Sequence, residues 1–329
     1  RYNFIYTIFS KYCLILPKSD HISENTGEIM HNSINERCAM EEFTKALEYF
    51  PDMDEGTKDA PLDNVFYFKR YHYKSAEPTV YRTGLCILLS GKKRMTFEEH
   101  SYEYSALDYI VCSMMIHARC ETIASFDAPV RGIFIGFSVE EIRELVESMN
   151  LRGRIKTFYS KHIPSPIGPS TMDGDFQDSL VRFLKCLSDE NEAKVLGKAL
   201  KREVLYRALC GEQAELLLKL SLQAGPLVQI NKVIDVLEQN YNQEIDVDNL
   251  AKEVNLSVSS FYRLFKDVTS DTPVQYLKKI RLNKAKEMII TQNAKAYVAA
   301  LEVGYQSVSQ FSREFKRYFG VTPAALKVS

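Results

Sequence analysis

Ser257-Val-Ser-Ser-Phe-Tyr-Arg-Leu-Phe-Lys266 and Ser307-Val-Ser-Gln-Phe-Ser-Arg-Glu-Phe-Lys316 are two copies of one stretch. Ser257, Val258, Ser259, Phe261, Arg263, Phe265, Lys266, Thr272 and Pro273 recur 50 residues later as Ser307, Val308, Ser309, Phe311, Arg313, Phe315, Lys316, Thr322 and Pro323. Nine identities in one register over 17 positions are not a chance event. Self-similarity at a fixed period marks a supersecondary unit used twice.

Each copy has the grammar of a helix-turn-helix. In the first, Asp248 is placed to cap a short helix through Leu250, Ala251 and Val254. Asn255-Leu256-Ser257 forms the turn, and Ser257 caps the next helix. Phe261, Leu264, Phe265 and Val268 then share one face, while Ser259, Ser260, Tyr262, Arg263 and Lys266 point away from it. In the second copy Ala300 and Val303 take the places of Ala251 and Val254. Its turn, Gly304-Tyr305-Gln306, is one residue longer, and Gly304 supplies positive φ. Phe311, Phe315, Tyr318 and Phe319 make the buried stripe. Pro273 suits the first position of a long helix to Ile290 that holds the two units apart.

Leu250-Ala251, Phe261-x-Arg263-x-Phe265-Lys266, Thr272-Pro273-x2-Tyr276-Leu277-x3-Arg281-Leu282-x2-Ala285, Val303-Gly304-Tyr305 and Phe311-Ser312-Arg313-x-Phe315-Lys316-x3-Gly320-x-Thr322-Pro323 together resemble the AraC/XylS family of bacterial transcription regulators. The likeness covers about the last 100 residues. Ala296 and Ala299 depart from it, standing where many members carry Ile, which implies a thinner or tighter core in the second unit. The resemblance implies a sequence-specific regulator of promoter DNA, an activator recruiting RNA polymerase, working as a homodimer in the cytoplasm under control of a small-molecule effector. Control by a partner protein or by abundance alone, with no effector, is the alternative.

Composition agrees with this assignment. The 329 residues suffice for two or three domains, with 45% hydrophobic and 26% charged residues. From residue 250 onward there are 13 Lys and Arg against 6 Asp and Glu, a net +7 that leaves −8 on the rest. A basic end on an acidic chain is the electrostatic footprint of nucleic-acid binding, although a solvated basic helix gives the same balance. Seven dispersed cysteines without Cys-x-x-C fit free thiols in a reducing compartment. Cys86, Cys112 and Cys120 are either buried structural thiols or a redox sensor. No apolar run reaches the length of about 18 residues that spans a membrane.

The remainder reads as four segments: an N-terminal extension (1–60), a β-rich sensor (61–170), connecting and dimerisation helices (171–225) and the DNA-binding domain (226–329). Residues 1–40 are polar and aperiodic after an interrupted apolar start, with Met30 and Met40 as candidate translation starts, or else an anchor or partner-binding arm. Met40–Phe50 reads as a short helix, and 52–63 as an acidic loop. Val65–Phe68, Tyr71–Tyr73, Leu85–Leu89, Lys93–Phe97, Tyr102–Tyr104, Tyr109–Val111 and Gly132–Phe137 are short β-type runs, predicting an antiparallel barrel or sandwich. Cys86-Ile-Leu-Leu-Ser-Gly-Lys-Lys-Arg94, Tyr102-x-Tyr104 and Asp108-Tyr-Ile-Val111 are similar to the family's sensor domain, which implies a cupin-like barrel over roughly 61–160. The fold class is therefore α+β. The Tyr and Phe of the strands either pack the barrel or line an aromatic ligand pocket.

Ser138-x-x-Glu141 is a capping box opening a helix to Met149. His162–Pro169 is a Pro-rich connection. Two amphipathic helices (175–187 and 192–210) and a short third (216–222) follow. They either make the dimer contact, as the resemblance implies, or simply cover the barrel. Gly225-Pro226 marks the last boundary. His72, His100 and His117 stand alone, so neither a metal site nor a cofactor is expected. An enzyme is not expected either, since no nucleophile-base set or phosphate loop is present.

The second helix of each unit would enter the major groove. Ser259, Tyr262 and Arg263 in the first, and Val308, Ser309, Gln310, Ser312 and Arg313 in the second, are the candidates to reach bases. Arg pairs with guanine, Gln with adenine, and Val meets the thymine methyl. Lys266 and Lys316 suit phosphate. Lys278, Lys279, Arg281 and Lys284 on the connecting helix are further phosphate candidates, although Arg281 could instead pair with an acidic neighbour.

Overall fold

The computed structural model describes residues 45–149, 165–222 and 225–328. A 3₁₀ turn (Lys45–Tyr49) leads into ten strands: β1 (Gly56–Asp59), β2 (Val65–Arg70), β3 (Lys74–Tyr81), β4 (Gly84–Ser90), β5 (Lys92–Phe97), β6 (His100–Ser105), β7 (Asp108–Cys112), β8 (Ile116–Ile123), β9 (Val130–Gly136) and β10 (Ile167–Thr171). They form one sheet in the order β1-β2-β9-β4-β7-β10 and a second in the order β3-β8-β5-β6. All pairings are antiparallel. The sequence candidates at 1–40, Met30, Met40 and the first three residues of the Pro-rich connection (162–164) lie outside the described residues.

Burial explains the strand sequences. β4 is buried from Gly84 through Leu89 because β9 and β7 flank it in the larger sheet, and a strand covered on both faces reads as a continuous apolar run. Gly132 on β9 permits the closest approach, since a Cβ there would lie 2.2 Å from the Phe68 ring. Tyr81 and Tyr104 share a buried hydroxyl contact of 3.1 Å, and Met95, Phe97 and Cys120 are also buried. These aromatic side chains therefore pack the core.

Several parts of this region differ from the sequence expectation: β3 has no counterpart among the expected runs and holds Pro78 within it, and β10 occupies the end of the expected Pro-rich connection. Tyr71–Tyr73 connects β2 to β3 instead of forming a strand, and Tyr73 is exposed. β8 has no counterpart in the predicted runs, because Arg119 and Glu121 interrupt its apolar letters on the outward positions. The expected acidic loop supplies β1, and the expected short helix is a 3₁₀ turn over Lys45–Tyr49 whose Ala46 is fully buried, with Phe50 edge-on to Tyr67 at 5.4 Å.

Helix α1 (Val139–Ser148) opens with the expected capping box, Ser138 and Glu141 each bonding the other's backbone N–H. Helices α2 (Gly174–Leu187), α3 (Glu190–Cys210) and α4 (Ala214–Ser221) follow. Phe176 of α2 stacks on Tyr109 of β7 at 4.6 Å, so this face of the helices covers the larger sheet. On α3, Val195 and Leu196 point outward and are 78% and 45% exposed, leaving an apolar spot on the far face.

The C-terminal part comprises α5 (Pro226–Gln239), α6 (Val247–Glu253), α7 (Val258–Thr269), α8 (Pro273–Thr291), α9 (Ala296–Glu302), α10 (Val308–Phe319) and a 3₁₀ turn (Pro323–Val328). Asp246 caps α6, accepting from the N–H groups of Asp248 and Asn249 at 3.0 and 3.2 Å. The expected cap, Asp248, already sits inside the first turn. Thr272 and Gln275 form a further capping box at α8, with Pro273 in the first turn.

Two cores divide this part. The first runs without a break from the sheets through α5, α6 and α7 to Tyr276 and Ile280. The second joins Leu282, Ala285 and Ile289 of α8 to Ala299, Ala300, Val303, Tyr305, Phe311 and Phe315. The first helix-turn-helix unit is thus fused to the β-rich half, and α8 belongs to both cores. Polar ties reinforce the fusion. Asn231 on α5 donates to the Ser113 carbonyl at 2.9 Å. The Tyr276 hydroxyl donates to the Met115 carbonyl, and its ring meets His117 edge-on at 4.7 Å. Lys286 pairs with Glu77 at 3.6 Å. Among the described residues no helix is long and apolar enough to cross a membrane.

Candidate nucleic-acid interface

The internal repeat is visible in the backbone. Leu256 N–H bonds the Ala251 carbonyl, and Tyr305 N–H bonds the Ala300 carbonyl, each at 2.9 Å. Asn255 and Gly304 take positive φ of 55° and 85° at the matching turn position. Ser270 and Gly320 do the same at the ends of α7 and α10, with φ of 63° and 79°. Matched residues are 49 apart before the turn and 50 apart after it, so Gln306 is the inserted residue. Only glycine fits at 304, because a Cβ there would approach the Asn242 carbonyl oxygen to 2.4 Å.

Helices α7 and α10 are anchored by phenylalanines. Phe261 and Phe265, like Phe311 and Phe315, are fully buried and contact each other at 5.7 and 5.4 Å. Serine caps both starts: Ser257 accepts from Ser260 N–H at 3.3 Å and Ser307 from Gln310 N–H at 3.2 Å. Each helix has 12 residues, about 18 Å of axis.

The opposite faces carry the predicted readers. Ser259, Tyr262, Arg263 and Lys266 fall at i, i+3, i+4 and i+7, which is one stripe of a helix. Ser309, Ser312, Arg313 and Lys316 repeat that stripe on α10, with Val308 and Gln310 beside it. Ser259, Arg263, Lys266, Val308, Ser309, Gln310, Arg313 and Lys316 are exposed, and Tyr262 and Ser312 are half-buried. Tyr262 leans its ring on Phe261 at 6.2 Å. No side-chain hydrogen bond or ion pair engages Arg263, Lys266, Arg313 or Lys316 among the described residues. Their charges are available to a ligand.

The connecting helix is different. Lys278 pairs with Glu314 at 3.1 Å, Lys279 with Asp271 at 2.7 Å, and Lys284 with Glu287 at 4.0 Å. Arg281 donates to three backbone carbonyls: Tyr241 at 2.6 Å, Gln243 at 2.7 Å and Gly304 at 3.2 Å. Lys279 and Arg281 are thus engaged within the protein, while Lys278 and Lys284 make partly exposed pairs. Arg281 clasps the segment before α6 to the turn of the second unit, so its partners are neither phosphate nor a carboxylate.

Glu314 was not singled out by the sequence. It accepts from Gln310 at 3.2 Å, Tyr305 at 2.8 Å and Lys278 at 3.1 Å. Burial raises its pKa, but these three donors outweigh burial and hold the carboxyl below its ordinary value. It fixes α10 against α8 and sets the rotamer of Gln310. The signal available in sequence was its i+4 spacing from Gln310.

Elsewhere the chemistry is quiet. Cys86, Cys112, Cys120 and Cys186 are buried free thiols, and burial pushes Cys86 and Cys112 up, away from reactive thiolate. Among the described residues no three His, Cys, Asp or Glu are grouped to hold a metal.

Comparison with known proteins agrees with this geometry. Residues 61–216 match the model of the AraC-type transcriptional regulator N-terminus, and residues 250–328 match a helix-turn-helix domain model. The Msm operon regulatory protein of Streptococcus mutans is 25% identical over 286 residues, covering 85% of this chain and 97% of its own. The lactose operon transcription activator of Staphylococcus xylosus is 24% identical, over 77% of this chain and 84% of its own. The apo structure of ToxT from Vibrio cholerae shares the fold, with a TM-score of 0.54 at 10% identity over 82% of this chain and 99% of that one. A regulatory N-terminal half joined to a DNA-binding pair of helix-turn-helix units places the chain among the AraC-type transcriptional regulators, the family to which it belongs.

Proposed function

We propose that this regulator activates a carbohydrate-utilisation operon as a homodimer, reading promoter DNA with α7 and α10 and answering a small molecule held by its N-terminal half. The observation that carries the DNA-reading assignment is the repeated stripe whose arginines and lysines have no partner inside the protein. Arg263 and Arg313 are assigned to bases together with Ser259, Tyr262, Val308, Ser309, Gln310 and Ser312. Lys266 and Lys316 are assigned to phosphate. The segments 61–170, 171–225 and 226–329 are assigned to sensing, dimerisation and DNA reading. The name of the lactose operon transcription activator supports a sugar regulon and an activating role. Exposed Val195 and Leu196 on α3 support the dimer contact. ToxT has been solved with an unsaturated fatty acid bound; carboxylates outnumber cations in the lining of a cleft of about 1040 Å³ here, which disfavours such an anion.

Selection of bound sequences from random duplex DNA tests the reading. A two-half-site consensus that loses one half in Arg263→Ala and the other in Arg313→Ala is expected, with each variant about 1–3 kcal/mol weaker and folded. Unchanged affinity in both variants would remove the base-contact assignment.

A further inference from the structure

A cleft of about 1040 Å³ separates the sensor's rim from the DNA-binding half. Its sensor wall comes from the β1–β2, β3–β4 and β9–α1 connections, and its other wall from α5 with Lys284 of α8. A second chamber of about 280 Å³ adjoins it, sharing Arg82, Met115, Glu238 and Lys284. The combined space lies at or above the range of about 300–1,000 Å³ usual for small-molecule sites.

The lining is chemically specific. Asp235 and Glu238, one turn apart on α5, have no hydrogen bond or ion pair among the described residues. Desolvation pushes both carboxyls up, with Lys284 and Arg82 drawing Glu238 back in part; Glu238 is half-buried and Asp235 stays open to the cleft. Asp59, Asp63 and Glu140 line the sensor side, Glu140 in a pair with Arg143, and the cations of the lining are Arg82 and Lys284. Phe66 and Phe134 stack 4.8 Å apart along the sensor wall, giving an aromatic surface. In the second chamber His117 is nine-tenths buried, and both its ring nitrogens lack a partner. A buried polar group without a partner costs free energy that a bound ligand or water recovers.

We propose that this interdomain cleft is a carbohydrate site: hydroxyls donate to Asp235 and Glu238, Arg82 donates to sugar oxygens, and a ring face lies on Phe66, which Phe134 backs. The inference rests on the sugar-regulon reading and goes beyond it by giving the effector a place and a chemistry. A neutral polyol supplies both donors and acceptors. A fatty anion would face the carboxylate excess, and a simple cation would leave the aromatic wall and Arg82 unused. Because one wall belongs to α5 and the other to the sensor, the sugar binds the docked arrangement better than a separated one. Differential affinity of that kind shifts the conformational equilibrium and couples the cleft to DNA binding.

Thermal melting of the full chain against raffinose, melibiose, lactose, sucrose and maltose tests it, with spermidine and oleate as controls. At least one sugar is expected to raise the midpoint saturably. Glu238→Gln and Phe66→Leu are each expected to weaken that response at least about tenfold. Glu238→Gln keeps the size and shape of the side chain, and its sugar-free melting curve checks that it folds. No response to any of the five sugars, an unaltered response in both variants, or stabilisation by spermidine or oleate alone would overturn the proposal. Operator binding on the same samples separates the two readings. Retained operator binding without a sugar response sinks the cleft alone. Absent operator binding sinks the regulator reading, while the melting curves still decide the cleft.

Discussion

Replacing Arg281 by Lys tests the clasp between the two helix-turn-helix units. The guanidinium serves Tyr241, Gln243 and Gly304 at once. An ammonium keeps the charge but lacks the planar fork, so it can serve one of the three carbonyls well. Two charge-assisted bonds are lost, each worth about 1.5–3 kcal/mol when desolvated. Arg281 is half-exposed, and water partly replaces the donors, so about 2–3 kcal/mol in all is expected. For a cooperative unit of this size that is a fall of about 4–12 °C in Tm. Thermal melting by circular dichroism reads it directly. Binding to a full operator should fall more than binding to a half operator, because the relative placement of α7 and α10 loosens. An unchanged Tm in Arg281→Lys would show that solvent satisfies those carbonyls and that the clasp holds nothing. If the only change were a salt-dependence slope lower by about one, Arg281 would be a phosphate ligand after all.

Other expected outcomes are simpler. Phe311→Ala empties the centre of the second core and should cost about 3–5 kcal/mol, read by chemical denaturation. Ser138→Ala breaks the capping box of α1 and should cost about 0.5–2 kcal/mol in the same measurement. His117 has its pKa pushed down from 6.5 to about 3, by burial first and by Lys279 second. Between those values the unfolded chain binds a proton that the folded chain refuses. The contribution of the neutral ring is complete above pH 6.5 and drains as pH falls toward 3, by up to about 1.4 kcal/mol per pH unit. His117→Gln should flatten the acid limb of a stability-against-pH curve. An acid limb of unchanged slope would mean that the ring is already protonated or hydrated in the folded protein.

The parts of this molecule legible in sequence are those whose partners lie nearby in the chain. Phe261 and Phe265 read as core because helical spacing alone puts them on one face, and the second copy repeats the message. The Ser138 and Glu141 capping box is local in the same way. What stayed hidden depends on distant or featureless partners. Lys278 looks like a phosphate ligand until Glu314, 36 residues on, is brought beside it. Arg281 stands in a recognisable motif, yet its partners are main-chain oxygens, which no letter of the sequence encodes. β8 was missed because Arg119 and Glu121 obscure its apolar positions, although Ile116, Ala118 and Cys120 alternate as a half-buried strand should. The cleft is assembled from loop and helix positions scattered between residues 59 and 284, and no window along the chain contains it.

The joint between the halves has an evolutionary corollary. Asn231 and Tyr276 grip the sensor through the carbonyls of Ser113 and Met115. Every residue type offers that same oxygen, so side chains at 113 and 115 can drift without loosening these two bonds, provided the chain follows the same path from β7 to β8. The mount is written in the route of the main chain, and the fitting on the other side in two side chains of the DNA-binding half. Such a joint tolerates exchange. A descendant could change the residues that line its rim, or accept a grafted β-rich half from a relative, and still seat it on the same pair of helix-turn-helix units.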